Sequence, residues 1–285
     1  MFKRKFYLSV IAVLVVGLVF ASLLGGCAPA EISKLKVVTS TSLIASIVER
    51  VGGDRVDVVN IIPPAQCPGH FDVKPSDIQK LADANLFLLH GWQGEMFSEE
   101  LIASANNPDL IVAVPKIDIP GSWMAPPVQL NAVDKITAIL SQVDEKNSSA
   151  YQKSAAELEG KFEAKEAEIK VKLAKENLPN IDVMCAEMLV EFVQWTGLNV
   201  IATYGRPDSL TPQVVKELVD KGKEAKVTLI IDNLQSGKDA GAGIAEELGC
   251  KRIILSNFPG GFDNTDTWEK AIDYNVELIL EAIAQ

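Results

Sequence analysis

Cysteine is scarce in this 285-residue chain, four in all, and no two of them stand in a Cys-x-x-Cys pair. Three or four thiols in a chain this long exclude a disulfide-stapled scaffold. Thiol–disulfide exchange lacks the neighbouring resolving thiol it needs. Basic residues are also in deficit, with 27 Lys and Arg against 38 Asp and Glu. Three of the basic residues crowd into positions 3–5, so beyond residue 26 the balance is 24 to 38 and the net charge is −14. No basic stripe interrupts that acidic surface, which repels phosphate backbones, so nucleic acid is not an expected partner. After one apolar run at the N-terminus, no second run approaches bilayer-spanning length.

That first run is the most informative stretch. Lys3, Arg4 and Lys5 precede an almost unbroken apolar segment from Phe6 to Leu24, followed by Gly25-Gly26-Cys27. Charge and hydropathy match a secretory signal, and the ending resembles the lipobox of bacterial lipoproteins. The resemblance implies that residues 1–26 are removed and that Cys27 becomes the acylated first residue. Several acyl chains on one cysteine hold a protein stably at a membrane. An uncleaved spanning helix is the plainer alternative. The lipoprotein reading places the chain on the extracytoplasmic face of the cell membrane, attached through its lipid alone, and leaves three cysteines: Cys67, Cys185 and Cys250.

Beyond a tether over 27–34, short apolar strands alternate with helical stretches. Lys36–Thr39, Val56–Ile62, Leu86–Leu89 and Ile111–Val114 read as strands in the first half. Asp182–Met184, Leu198–Thr203, Val227–Ile231 and Arg252–Leu255 read as strands in the second. Ser76 is a candidate helix cap behind Pro75. Between the two sets, Tyr151, Ala155, Leu158, Phe162 and Ile169 recur at helical spacing. The expected fold is α/β, with two Rossmann-like lobes of parallel sheet and flanking helices joined by one long rigid helix. The boundaries are an N-terminal lobe over 35–146, a linking helix over 147–177 and a C-terminal lobe over 178–285. A ligand is expected between the lobes, at the carboxyl ends of the strands.

Four segments, in order, carry a family resemblance: Val37-Val-Thr-Ser-Thr-Ser-Leu43, Val51-Gly-Gly-Asp-Arg55, Ile62-Pro-Pro-Ala65 and Pro75-Ser-Asp-Ile-Gln-Lys-Leu-Ala82. With the long helix and the terminal Asp273-Tyr-Asn275, they make the chain similar to the cluster A-I solute-binding lipoproteins of zinc and manganese ABC importers. The resemblance implies a two-lobed, monomeric receptor that holds a metal between its lobes and delivers it to a permease. It also implies where metal ligands should stand, and here the chain departs. An ungapped match puts Gly69 on the first family His, with Cys67 two residues earlier and His70 one step late. Met124 falls near the second His, Cys185 on the third ligand, and Ser256 near the last carboxylate.

Sulfur thus stands where the resemblance implies nitrogen and oxygen. Cys67, His70, His90 and Met124 on one side, with Cys185 and Asp232 on the other, are the candidate metal ligands. Thiolate and thioether donors select soft cations and disfavour manganese. Copper(I), mercury or an organometal is the expected cargo, with zinc on a Cys2His-type set as the alternative. No catalytic cofactor is expected. A different class is a Cys-dependent enzyme that cleaves a carbon–metal bond, with Asp72 or Asp232 as proton donor. An adhesin that has lost its ligand is another. Plainer roles remain for single residues. Cys67 and Cys185 could form a disulfide, Cys250 reads as a buried structural thiol, and Met184 and Met188 as core. Trp92, Trp123 and Phe258 read as cleft wall or as packing, and Arg206 as an anion site or a surface ion pair.

Overall fold

The parallel-strand expectation rests on runs of Val, Ile and Leu too short for helices, and these runs form the strands. The computed structural model describes residues 34–113 and 117–284. Cys27, the leader and residues 27–33 of the tether lie outside the described residues, as do Val114 and Pro115 after the fourth strand. In the first half, β1 (Leu35–Thr39), β2 (Val56–Asn60), β3 (Leu86–Leu88) and β4 (Ile111–Val112) form a parallel sheet in the order β2-β1-β3-β4. In the second, β5 (Asp182–Ala186), β6 (Asn199–Tyr204), β7 (Leu229–Asn233) and β8 (Lys251–Leu255) repeat that order as β6-β5-β7-β8.

Side chains alternate across a strand, so a sheet covered on both faces needs two apolar sets. Val37, Leu86 and Leu88 face the larger core, whereas Val38 and Phe87 face a smaller one with Ile62, Leu81 and Leu101. Helix α1 (Ser42–Gly52) lays Leu43, Ile44, Ile47, Val48 and Val51 on the first core and ends at Gly53, whose φ of 56° suits glycine. Helix α2 (Pro75–Ala82) starts one residue before the expected Ser76 cap. Lys74 is its N-cap, Pro75 fills the first turn, and the Asp77 carboxylate accepts the Lys74 N–H at 3.0 Å. Proline is suited there, because its missing N–H would have had no helical partner.

After α3 (Phe97–Ala105) come α4 (Pro126–Val143) and α5 (Ser148–Leu173), the second of which is the expected linking helix. The break falls at Asp144, whose carboxylate accepts the hydroxyl of Tyr151 at 2.6 Å and the amide of Asn147 at 2.7 Å. Its 26 residues make α5 roughly 39 Å long at 1.5 Å per residue. Tyr151, Ala155, Leu158, Phe162, Ile169 and Leu173 form its buried face. Arg50 of α1 lies over the Phe162 ring and pairs bidentately with Glu269 of the last helix, at 2.8 and 2.9 Å. Lys165 of α5 reaches Asp273 of that same last helix at 2.7 Å. The long helix therefore braces both halves. Helices α6 (Val190–Thr196), α7 (Pro212–Ala225), α8 (Ala242–Leu248) and α9 (Trp268–Ile283) complete the second half. Among the described residues no helix is long and apolar enough to cross a membrane.

Candidate functional site

The order 2-1-3-4 reverses between β1 and β3, and between β5 and β7. Loops leaving those strand ends diverge and leave a crevice where ligands of open α/β sheets bind. A cavity of about 770 Å³ lies there, between the two halves. One wall comes from the first half, with Cys67, Trp92, Trp123 and Met124; the other carries Glu187, Arg206, Gln235 and Asn257. Phe258 closes the aromatic side, its ring 6.5 Å from Trp92 and inclined by 20°.

Cys67 reaches the cavity because the loop after β2 is tightly wound. Gln66 N–H donates to Pro63 O, and a single turn over Pro68–His70 returns His70 N–H to Cys67 O. Cys67 as a whole is only 8% exposed, but it lines the crevice. Arg206, on the loop after β6, crosses from the other half. Its Nη2 donates to Cys67 Sγ at 3.2 Å, and its Nη1 lies 3.3 Å from His70 Nε2. Gly69 permits that crossing, since a Cβ there would sit 3.1 Å from Nη2. Further bonds close the seam: Gln235 Nε2 donates to Pro64 O at 2.8 Å, and Ser42 Oγ to Pro259 O at 2.8 Å. Trp268 Nε1 donates to the Met124 carbonyl at 3.2 Å.

Of the six expected metal ligands, two line the crevice and a third contacts a residue of its wall. Cys67 and Met124 line it, and the exposed His70 meets Cys67 on the shared guanidinium. His90 sits one layer behind. It is fully buried, stacked on Trp92 with centroids 3.6 Å apart and edge-on to Trp123 at 4.2 Å. Its Nε2 shares a 2.7 Å hydrogen bond with Thr41 Oγ1, while its Nδ1 has no partner. Burial pushes its pKa well below the usual histidine value, so the ring is neutral.

Cys185 and Asp232 are not brought to the crevice. Both strands that carry them run two residues further than their apolar cores suggest, to Ala186 and Asn233. Cys185 therefore lies inside the central strand, paired with Thr203 and Ile231 and 0% exposed. Burial pushes its thiol up to about 12, which keeps it protonated and disfavours it as a ligand. Asp232 is equally buried, and its carboxylate is consumed by structure. It accepts Tyr204 OH at 2.8 Å, Gly241 N–H at 2.7 Å and Arg252 Nη1 at 2.6 Å. An acid so committed does not serve as a proton donor in the crevice. Cys67, Cys185 and Cys250 are all free thiols, so the disulfide alternative does not hold. Cys250 is half-buried against the core, and Ser256 is buried with its Oγ donating to Phe258 O. Among the described residues no three His, Cys, Asp or Glu side chains are grouped to hold a metal ion.

Residues that follow the longer strands take the vacated places. Glu187, Met188 and Glu191 after β5, Asn233 and Gln235 at the end of β7, and Asn257 after β8 all line the crevice. Met188 is 51% exposed and is the sulfur that the second half offers there. The strand-end rule alone points to these positions once strand ends are known.

Residues 37–282 match the protein family described as ZnuA, zinc-uptake complex component A, periplasmic. The chain belongs to that family. It is 24% identical to the metal ABC transporter substrate-binding lipoprotein SsaB of Streptococcus sanguinis, with 90% of this chain and 92% of that protein covered. It is also 24% identical to the iron ABC transporter substrate-binding lipoprotein MtsA of Streptococcus pyogenes serotype M1, over 91% of this chain and 92% of that one. The fold superimposes on a crystal structure of ZnuA with a TM-score of 0.76 at 20% identity, covering 88% of this chain and 99% of that chain. On FpvC of Pseudomonas aeruginosa in complex with Mn2+ the TM-score is 0.77 at 21% identity, over 88% and 99%. Like its relatives, which are named as binding lipoproteins, this ZnuA-family chain is a binding protein and not an enzyme.

Proposed function

We propose that this ZnuA-family chain is the lipid-anchored, extracytoplasmic receptor of a metal ABC importer, and that its cargo is a soft metal carried with an organic group. The relatives' names support the transporter assignment and a lipid anchor, for which Cys27 is the candidate residue. The observation that carries the cargo reading is the crevice itself. At about 770 Å³ it has the size of pockets for organic ligands, and its aromatic wall has their character. A bare zinc site closes four donors around the ion at about 2.0–2.3 Å. Here the lining offers one thiol, Cys67, with thioethers at Met124 and Met188, and His70 meets Cys67 only through Arg206. One thiolate suffices for mercury or copper(I) that brings a second bond of its own, either to carbon or to sulfur. Trp92, Trp123 and Phe258 then cover the organic part.

The family description and the meeting of Cys67 with His70 favour a second reading, in which zinc is taken by these two residues with further donors. Native mass spectrometry of the reduced protein, offered mercuric, cuprous and zinc species with small thiols, separates the two. The expected result is a one-to-one adduct whose mass includes metal and organic group, lost in Cys67→Ser. Tighter binding of zinc alone, or adducts indifferent to Cys67→Ser, overturns the cargo reading.

A further inference from the structure

The crevice walls carry charged groups of both signs. Glu187 and Glu191 line the cavity without an ion pair among the described residues. Glu187 lies beside the loop that carries Arg206, since a Cβ on Gly205 would come 3.9 Å from Glu187 Oε1. These carboxylates share the cavity with the aromatic faces of Trp92 and Phe258, which attract a cation. Arg206 supplies a guanidinium suited to a carboxylate.

Resting on the reading of the crevice as the seat of a soft-metal complex, we infer that the organic part of the cargo is a zwitterionic amino-acid thiolate. Its ammonium faces Glu187 and Glu191; its carboxylate takes Arg206; its sulfur holds the metal opposite Cys67. With a mercuric bis-thiolate as donor, one mercury–sulfur bond to a small thiolate breaks and one to Cys67 Sγ forms. The departing thiolate takes the Cys67 proton and leaves as the free thiol. No electron is transferred, and the second small thiolate stays on the metal. Arg206, relieved of Cys67 by the new bond, is free to turn to the carboxylate.

The test measures affinity of the full reduced chain for mercuric complexes of cysteine, cysteamine, 3-mercaptopropionate and 2-mercaptoethanol, with metal-free cysteine alongside. The cysteine complex should bind at least tenfold more tightly than the cysteamine and mercaptopropionate complexes, and the neutral one weakest. The double variant Glu187→Gln, Glu191→Gln should lose that advantage and weaken the cysteamine complex, while the mercaptopropionate complex binds no worse. Equal affinity for all four complexes, or a double variant that changes none, overturns the zwitterion and leaves the metal reading standing. Failure of every complex, or metal-free cysteine binding as tightly as its complex, overturns the metal reading itself.

Discussion

Cys67 and Cys185 are the same side chain placed in two opposite environments. Cys67 sits on a wound loop at a crevice, with a guanidinium 3.2 Å from its sulfur. Cys185 sits mid-strand between two neighbouring strands, with no exposure and a thiol pushed up to about 12. Sequence distance from a strand end decides which fate a thiol meets. Just past the ends of β5 at Ala186 and β7 at Asn233 the chain leaves the sheet, and Glu187 and Gln235 there line the crevice. Earlier on the same strands, Cys185 and Asp232 pack.

That difference can be broken or sharpened experimentally. The largest contrast is in reactivity. Iodoacetamide applied to the native reduced protein should modify Cys67 at least about a hundredfold faster than Cys185, because attack requires an accessible thiolate. Peptide mass spectrometry after timed quenching reads both rates. Comparable rates would erase the distinction. Next comes affinity. Cys67→Ser should weaken binding of a mercuric–cysteine complex by about a hundredfold or more, roughly 3 kcal/mol, while Cys185→Ser leaves it within about twofold.

Stability shows the reverse pattern. Asp232→Asn, which unbalances the buried contact with Arg252, should cost about 3 kcal/mol in urea unfolding and leave cargo affinity unchanged. The lower end of the range for a broken buried pair applies because Arg252 keeps some solvent. A smaller effect, about 1–2 kcal/mol, is expected for Cys185→Ala from the void it leaves. This variant also tests the pKa. Burial raises the folded-state value of Cys185, so its contribution is intact below the ordinary thiol value of 9.0 and is lost as pH climbs to about 12. In that window the unfolded chain releases the proton first. The native protein should therefore lose stability toward alkaline pH more steeply than Cys185→Ala does.

Much of the architecture was legible because a parallel sheet buried on both faces needs apolar runs, and eight such runs mark the eight strands of the described residues. The linking helix was legible from Tyr151, Ala155, Leu158 and Phe162 at helical spacing. The site was less so, for one physical reason met twice. Apolarity shows where a strand is buried, not where it stops. Met184 looks like the end of β5 and Ile231 like the end of β7, yet hydrogen bonding continues to Ala186 and Asn233. Cys185 and Asp232 were thus expected on loops and lie inside sheets, while Glu187 and Asn257 passed unnoticed. Cys67 was legible because Pro63, Pro64 and Pro68 around it rule out a regular strand or helix interior. His90 failed differently. Its place at a strand end was right, but Trp92 stacks over it and takes its place on the crevice wall.

The most direct test of cargo capture by a single crevice thiol is the crystal structure of the reduced protein loaded with a mercuric–thiol complex, phased on the metal. The account predicts one anomalous peak in the crevice, at bonding distance from Cys67 Sγ and beside the aromatic wall, with Cys185 untouched. A peak bonded to Cys185, or held in the crevice without Cys67, would contradict it.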